Sequence, residues 1–371
     1  MAQQRVFVVG GSGFLGSAIV KQAVSRGWEV VSISPSGRPF TTPAGHRPAW
    51  SSSPLISWQS ADALRPETYA KALGGCTAVV HTIGILLESD YKAGGRGPGP
   101  GGVLRGLARG WGLGESRNPL DEGAHKTSYE VMNRDSALGV ARTFLESLRA
   151  RCPVTGPSTP KPAPFVYISA EDIFRPIVSE RYIKTKREAE YELARLSLES
   201  VPSASAASET GANAAAIASG TEPLLRPFFV RPGLMYHPQT RPLSTLPAAL
   251  LDLSASVHAR LDGAPSSDPG STGDTSGPTR LPFGLRIPTP ASLIRTLGPS
   301  SVQPLADLLT IPPLHVDTVA KAVCAAIAGE TGGAKAVGTS VTAEVAARDE
   351  PVSVGEVLAT RDIRRLAGWK A

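Results

Sequence analysis

A chain of 371 residues, 41% hydrophobic and 19% charged, can bury a large core, which excludes a disordered protein. Its net charge of +6 suits anionic ligands, but no basic run is interleaved with aromatics, which argues against nucleic acid as a partner. Cys76, Cys152 and Cys324 lie far apart with no Cys-x-x-Cys pair or His/Cys cluster, so neither a disulfide framework nor a metal centre is expected, and a reducing compartment is favoured.

The first element is the apolar run Arg5-Val6-Phe7-Val8-Val9, which stops at Gly10-Gly11-Ser12-Gly13-Phe14-Leu15-Gly16 and restarts as a helical pattern to about Arg26, ended by Gly27. Such a strand–turn–helix aims the N–H groups of a helix N-terminus at whatever sits above the turn. Glycines at spacing three and three let the backbone turn tightly, approach a pyrophosphate and pack against the strand. The turn, residues 10–16, is therefore a candidate dinucleotide cradle. Further strands are expected at Glu29–Ser34, Leu55–Ser57, Thr77–Ile83, Phe165–Ser169 and Pro227–Arg231, with helices at about His125–Arg149 and Tyr182–Ser200. This alternation predicts an α/β protein of Rossmann type, a doubly wound parallel sheet with right-handed crossovers.

Past the sixth strand the pattern loses regularity. Amphipathic segments at Leu243–Leu261, Ala291–Leu297 and Leu314–Ala328 and a last helix near Val354–Leu366 suggest a small, irregular C-terminal lobe on the substrate side. The expected division is a dinucleotide-binding domain over 1–235, with low-complexity insertions at 93–117, 152–164 and 201–223, and a lobe over 236–371. The lobe carries an insertion at 262–280, and its segment 313–330 is expected to pack back on the Rossmann core. Leu243–Leu261 is expected to bury its apolar face in ordinary core packing. No apolar run is long enough to span a bilayer, and no cleavable presequence is expected before the first strand.

Candidate chemistry centres on Tyr182-Ile183-Lys184-Thr185-Lys186. Tyr182 and Lys186, four apart, share one helix face. An ammonium beside a phenol stabilises the phenolate, so Tyr182 can exchange a proton with a substrate oxygen while Lys186 tunes it and binds the nicotinamide ribose. Ser169, at the end of the fifth strand, can orient or polarise the substrate carbonyl. Ser34-Pro35-Ser36-Gly37-Arg38 ends the second strand without a carboxylate; Ser34 and Arg38 suit a 2′-phosphate, so NADP(H) is preferred over NAD(H). Asp62 can accept from the adenine amino group or serve as a helix cap, and His81 is expected to pack under the cofactor. His315 and Asp317 resemble a catalytic pair but lack a nucleophile elbow, and are expected to fix the start of a helix.

Gly10-x-x-Gly13-x-x-Gly16, Asp62, Val80-His81, Asn133, Ser169, Tyr182-x-x-x-Lys186, Arg231-Pro232-Gly233 and His315-Val316-Asp317, in that order, resemble the extended and atypical short-chain dehydrogenase/reductase superfamily. The resemblance implies that Arg231 and Pro232 also line the cofactor. The strings Val79–Glu88, Tyr129–Asn133, Tyr167–Ala170 and Tyr182–Glu190 are similar to the fungal mitochondrial short-chain dehydrogenase-like family of coenzyme Q (ubiquinone) biosynthesis. That family is related to the nucleotide-binding accessory subunit of respiratory complex I. This likeness implies a mitochondrial protein on the matrix side, peripheral to the inner membrane, working with a quinone-synthesis assembly on an apolar or quinone-like substrate. Two functions stand open: an NAD(P)-dependent oxidoreductase, and a dinucleotide-bound assembly or regulatory subunit without turnover. A sugar-nucleotide epimerase or dehydratase is a third option on the same scaffold.

Overall fold

The computed structural model describes residues 4–84, 128–151, 161–173, 180–201, 222–239, 245–261, 289–297, 303–330, 341–343 and 352–369. The insertions expected at 93–117 and 262–280, and Cys152, lie outside the described residues, as do 152–160 and 202–221 of the other two insertions.

Seven parallel strands form one sheet. They are β1 (Arg5–Val9), β2 (Glu29–Ser34), β3 (Ile56–Ser60), β4 (Ala78–His81), β5 (Ala163–Ile168), β6 (Leu225–Val230) and β11 (Glu356–Leu358), in the order β3-β2-β1-β4-β5-β6-β11. Short pairs β7 (Met235–Tyr236) with β8 (Leu314–His315) and β9 (Val341–Ala343) with β10 (Val352–Val354) stand apart from it. The strand order reverses between β1 and β4, and an open α/β sheet takes its ligand beyond the carboxyl ends of the strands at such a point.

Both faces of the sheet are covered, so its strands read as continuous apolar runs rather than alternating ones. Phe7, Val9, Val79, Phe165, Tyr167 and Phe229 bury one face under helices α2 (Ala70–Leu73), α3 (Ser136–Arg151) and α4 (Glu180–Leu198). Val6, Val8, Val80, Val166, Ile168, Phe228 and Val230 bury the other under α1 (Phe14–Ser25), α8 (Val316–Ala328) and α9 (Thr360–Leu366). The α8 helix, taken from the far end of the chain, packs its Val319, Ala322 and Val323 into the same cluster as Leu15, Ile19 and Ala23 of α1. Its first turn is fixed by His315, whose Nδ1 accepts from the Asp317 amide at 3.2 Å, and it ends on Gly329 at φ 72°.

Three details differ from expectation. The C-terminal segment read as one helix is a strand followed by a helix: β11 extends the sheet beside β6, with Leu358 opposite Val230, and the Arg231 amide donates to the Leu358 carbonyl at 2.8 Å. The proline-rich stretch ending at 164 already carries the first residues of β5, because Ala163 donates to the Leu224 carbonyl and is drawn into the sheet. Helix α5 (Thr245–Leu261) buries Ala248, Ala255 and His258 but leaves Leu250 and Leu253 61% and 63% exposed. It meets the neighbouring α7 (Gln303–Thr310) through Ser254, whose Oγ donates to the Leu309 carbonyl at 3.0 Å. A third helix, α6 (Pro290–Leu297), completes this lobe. No helix among the described residues is long and apolar enough to cross a membrane.

One buried charge ties the layers together. Glu190 of α4 is 1% exposed and accepts from Arg187 on its own helix and from Arg231 just past β6. Removing one partner of a buried ion cluster leaves uncompensated charge. Glu190→Gln is therefore expected to lower the free energy of unfolding by about 3–5 kcal/mol, read from urea denaturation.

Candidate functional site

The glycine turn is built as its spacing predicted. Gly10 sits at φ 82° and donates to the Ile33 carbonyl at 2.9 Å, tying the turn to β2. Gly13 donates to the Gly10 carbonyl at 2.9 Å and precedes α1 as its cap, with no side-chain hydrogen bond at that helix end. The amides of the first turn are therefore not claimed by a capping side chain, the arrangement in which helix N-termini receive phosphate. A methyl group at Gly16 would run into the Gly10 carbonyl oxygen, and one at Gly11 into the buried Ser32 hydroxyl, so the close packing allows neither a side chain. Gly13 is exposed, Ser12 and Phe14 are half-buried, and Leu15 is buried in the core beneath.

The end of β2 presents a second set of groups. Ser34 is buried, and its Oγ accepts from the Gly37 amide at 3.2 Å. Gly37 adopts φ 62° where the turn presses against Ser60. Arg38 is exposed, and its guanidinium has no partner among the described residues. Asp62 does not cap a helix: its Oδ1 accepts from the Leu64 amide at 3.0 Å in a local turn, leaving the carboxylate half in solvent.

At the ends of β4 and β5 lies a cluster of buried polar side chains. Asn133 is carried by a π-helical turn (Glu130–Asp135) that leads into α3, a conformation found disproportionately at functional sites. Tyr167 donates to the Asn133 carbonyl at 2.5 Å. Lys186 Nζ donates to the Ile168 carbonyl at 2.9 Å and lies 4.7 Å from the centre of the Tyr167 ring. Lys186 and Asn133 converge above Gly84: a methyl group there would lie 2.8 Å from Lys186 Nζ and 3.1 Å from Asn133 Oδ1. Burial pushes the Lys186 amine down to about 7, against the pull of Glu190 and with help from Arg187. His81 is fully buried, with Nε2 3.2 Å from Ser136 Oγ and Nδ1 without a partner among the described residues. Desolvation and the Lys186 charge hold it down to about 3, so it is a neutral residue packed beneath the site.

Tyr182 lies one turn before Lys186, edge-on to Tyr129 at 5.7 Å between ring centres. Its phenol departs from expectation. Burial and the neighbouring Tyr129 push it up to about 12, only partly offset by Arg187. Burial is the main cause, so in the free chain Tyr182 is a proton donor rather than a phenolate, while the Lys186 amine donates to the Ile168 carbonyl. Ser169 is buried, and its Oγ accepts from Arg187 Nη1 at 2.9 Å. Two nitrogens of Arg231 bind Glu190, so its side chain braces α4. The neighbouring Pro232 offers its carbonyl to the Glu171 amide at 3.1 Å, which places the backbone of 231–233 beside the Ser169 loop.

Sequence reasoning missed Arg187, Glu190 and Glu171. Glu171 has one buried carboxylate oxygen without a hydrogen-bond partner among the described residues, and burial raises its pKa against the pull of Arg187 and Arg231. The string Lys186-Arg187-x-x-Glu190 carried a signal, since a cation and an anion three apart face each other on a helix. Away from this site, His237, His315 and Asp317 place ligand atoms within 4.8 Å of one another. Both ring Nδ1 atoms already accept backbone amides, and Asp317 holds Lys21 at 3.3 Å. That donor set is spent on the fold.

Residues 6–92 match the family model for the NAD dependent epimerase/dehydratase family. MIOREX complex component 2 of Saccharomyces cerevisiae is 32% identical over 234 residues, covering 62% of this chain and 73% of the yeast protein. The chain belongs to the family of that yeast protein. An uncharacterised chloroplastic protein of Arabidopsis thaliana is 44% identical over 81 residues, 22% of this chain and 25% of its own. A solved oxidoreductase of the short chain dehydrogenase/reductase family from Burkholderia thailandensis superposes with a TM-score of 0.39 at 13% identity, over 69% of this chain and 78% of that one. So loose an overlay carries no argument; the fold rests on the sheet order given above. The sheet order and the glycine turn are those of a Rossmann-type fold, and the turn lies within the residues that match the NAD dependent epimerase/dehydratase model.

His81 has a measurable consequence. The unfolded chain binds a proton at this residue below about 6.5, whereas the folded chain refuses it until about 3. Stability is expected to fall as pH drops through that window, and His81→Phe should flatten the slope of unfolding free energy against pH.

Proposed function

We propose that the chain is an NAD(P)-dependent oxidoreductase of mitochondrial ubiquinone synthesis, acting on a quinone precursor or a similar apolar substrate. The observation that carries the reading is the convergence of Lys186 and Asn133 above Gly84, at the carboxyl end of β4 and beside the strand that enters the glycine turn. A dinucleotide held by that turn would extend from the turn towards these groups, and the nicotinamide would supply hydride chemistry there. The chain's own residues divide the remaining work. Residues 10–16 bind the pyrophosphate with backbone amides. Lys186 holds the ribose beyond Gly84. Tyr182, protonated in the free chain, gives its proton to the substrate oxygen, and Ser169 donates a hydrogen bond to the same atom.

NADP(H) is the preferred cofactor in this reading, because the Arg38 guanidinium at the end of β2 has no partner among the described residues and the stretch Ser34–Arg38 contains no carboxylate. Placement on the matrix side, peripheral to the inner membrane and in contact with a quinone-synthesis assembly, draws on the family resemblance. Membership of a complex by the yeast relative supports it, as do the outward-facing Leu250 and Leu253.

A second reading is a dinucleotide-bound assembly subunit without turnover. It is favoured by the raised Tyr182 phenol and by the Arg231 side chain, which is committed to structure. The two readings part on one pair of variants. Gly13→Asp puts a carboxylate in the phosphate cradle and is expected to abolish NADPH binding in either case. Tyr182→Phe is expected to retain NADPH binding but to lose at least about 100-fold in single-turnover NADPH oxidation with lipid-quinone intermediates. Equal quinone output in cells carrying Tyr182→Phe would remove the enzymatic reading. Gly13→Asp fully incorporated into its complex would remove the assembly reading. Arg38→Ala is expected to weaken NADPH about 10- to 100-fold while leaving NADH unchanged, as measured by fluorescence titration.

A further inference from the structure

Arg187 follows Lys186 directly on α4 and serves a different part of the site. Its Nη1 donates to Ser169 Oγ at 2.9 Å and to Glu190 Oε1 at 2.7 Å, and its Nη2 donates to the Ala170 carbonyl at 2.8 Å. Arg231 Nε donates to the same Glu190 oxygen at 3.0 Å, and its Nη2 takes the other. The guanidinium of Arg187 is thus gripped by a carboxylate that has almost no access to water, and swinging away would leave that buried charge to Arg231 alone.

This fixes the sense of the Ser169 hydroxyl. A serine hydroxyl has one proton to give and two lone pairs to offer, whereas a guanidinium only gives. Ser169 must accept from Arg187, and its own proton has no acceptor among the described residues. The adjacent positive charge also makes that O–H a stronger donor. Tyr182, held protonated, is the other donor close enough for the Arg187 charge to act on it.

We infer that Arg187 is a positioning residue that occupies one lone pair of Ser169 and leaves the Ser169 O–H to be donated to the substrate oxygen, a ketone or quinone carbonyl. The inference rests on the oxidoreductase reading, taken in the direction of reduction. Two electrons arrive as hydride at the carbonyl carbon, the carbonyl π pair moves to oxygen, and Tyr182 supplies the proton to that oxygen, while the reduced dinucleotide leaves oxidised. Ser169 and the charge of Arg187 behind it stabilise the negative charge that builds on the oxygen during the transfer.

The test uses the full chain with NADPH and 2,3-dimethoxy-5-methyl-1,4-benzoquinone as the probe, followed by loss of NADPH absorbance. Ser169→Ala is expected to lower kcat about 100-fold and Arg187→Met about 10-fold, with the NADPH dissociation constant unmoved. Arg187→Lys should recover part of the loss, because an ammonium can still donate to Ser169 Oγ. The double variant should be no slower than Ser169→Ala alone, since Arg187 acts through that hydroxyl. Unchanged kcat in Arg187→Met, or losses that add in the double variant, would overturn the inference while leaving the oxidoreductase reading intact. A fall in NADPH affinity and thermal midpoint in step with the rate would assign Arg187 a structural role only and overturn it as well. No NADPH oxidation by the unsubstituted chain would overturn the oxidoreductase reading, and this inference with it.

Discussion

Charge without water governs this molecule. Glu190 has almost no solvent, and two guanidiniums compensate its carboxylate with three hydrogen bonds between them. Through Arg231 it binds α4 to the segment after β6, and through Arg187 it reaches the end of β5 at Ser169 and Ala170. Three elements far apart in sequence are thereby locked at one edge of the sheet, the edge where a ligand of this architecture sits. The same desolvation that makes Glu190 costly to disturb drives the Lys186 amine down and the Tyr182 phenol up. The structural anchor and the protonation state of the site share one physical origin.

What the sequence made legible was local. The glycine turn works through φ angles and close approach within seven residues, and the hydrogen bonds of Gly10 and Gly13 answer that pattern directly. The β-branched runs became buried strands because an apolar run can be hidden on both faces only in a covered parallel sheet. Tyr182 and Lys186 fell on one helix because their spacing requires it. What stayed illegible was non-local. Arg231 meets Glu190 across 41 positions of separation, and nothing in either residue's neighbours announces that pairing. The Tyr182 phenol moved opposite to expectation because spacing tells which groups are near, whereas burial decides whether a neighbouring amine keeps its charge. Helix α5 shows the same gap: an amphipathic pattern identifies two faces, but only the packed lobe reveals that the alanine face is the one turned inward.

The π-helical turn before α3 and the glycine at 84 act as a pair. The wider turn places Asn133 where its carbonyl takes the Tyr167 hydroxyl and its amide group faces the position above Gly84. A regular helix would shift that side chain around the axis. Gly84, lacking a side chain, leaves the volume into which Lys186 and Asn133 both project. An irregular backbone on one side and a missing side chain on the other bring two buried polar side chains together over an exposed glycine.

The last strand of the sheet has a consequence for how the chain is made. β6 lies between β5 and β11, and among the described residues its outer row of amides and carbonyls pairs with residues 356–358. A ribosome would therefore release almost the whole Rossmann core with one bare rim, open to pairing with any extended peptide nearby. Loss of a short tail, by premature termination or by proteolysis, would leave a molecule that keeps its nucleotide cradle and yet carries a sticky border, a route to aggregation that no inspection of the catalytic groups would reveal.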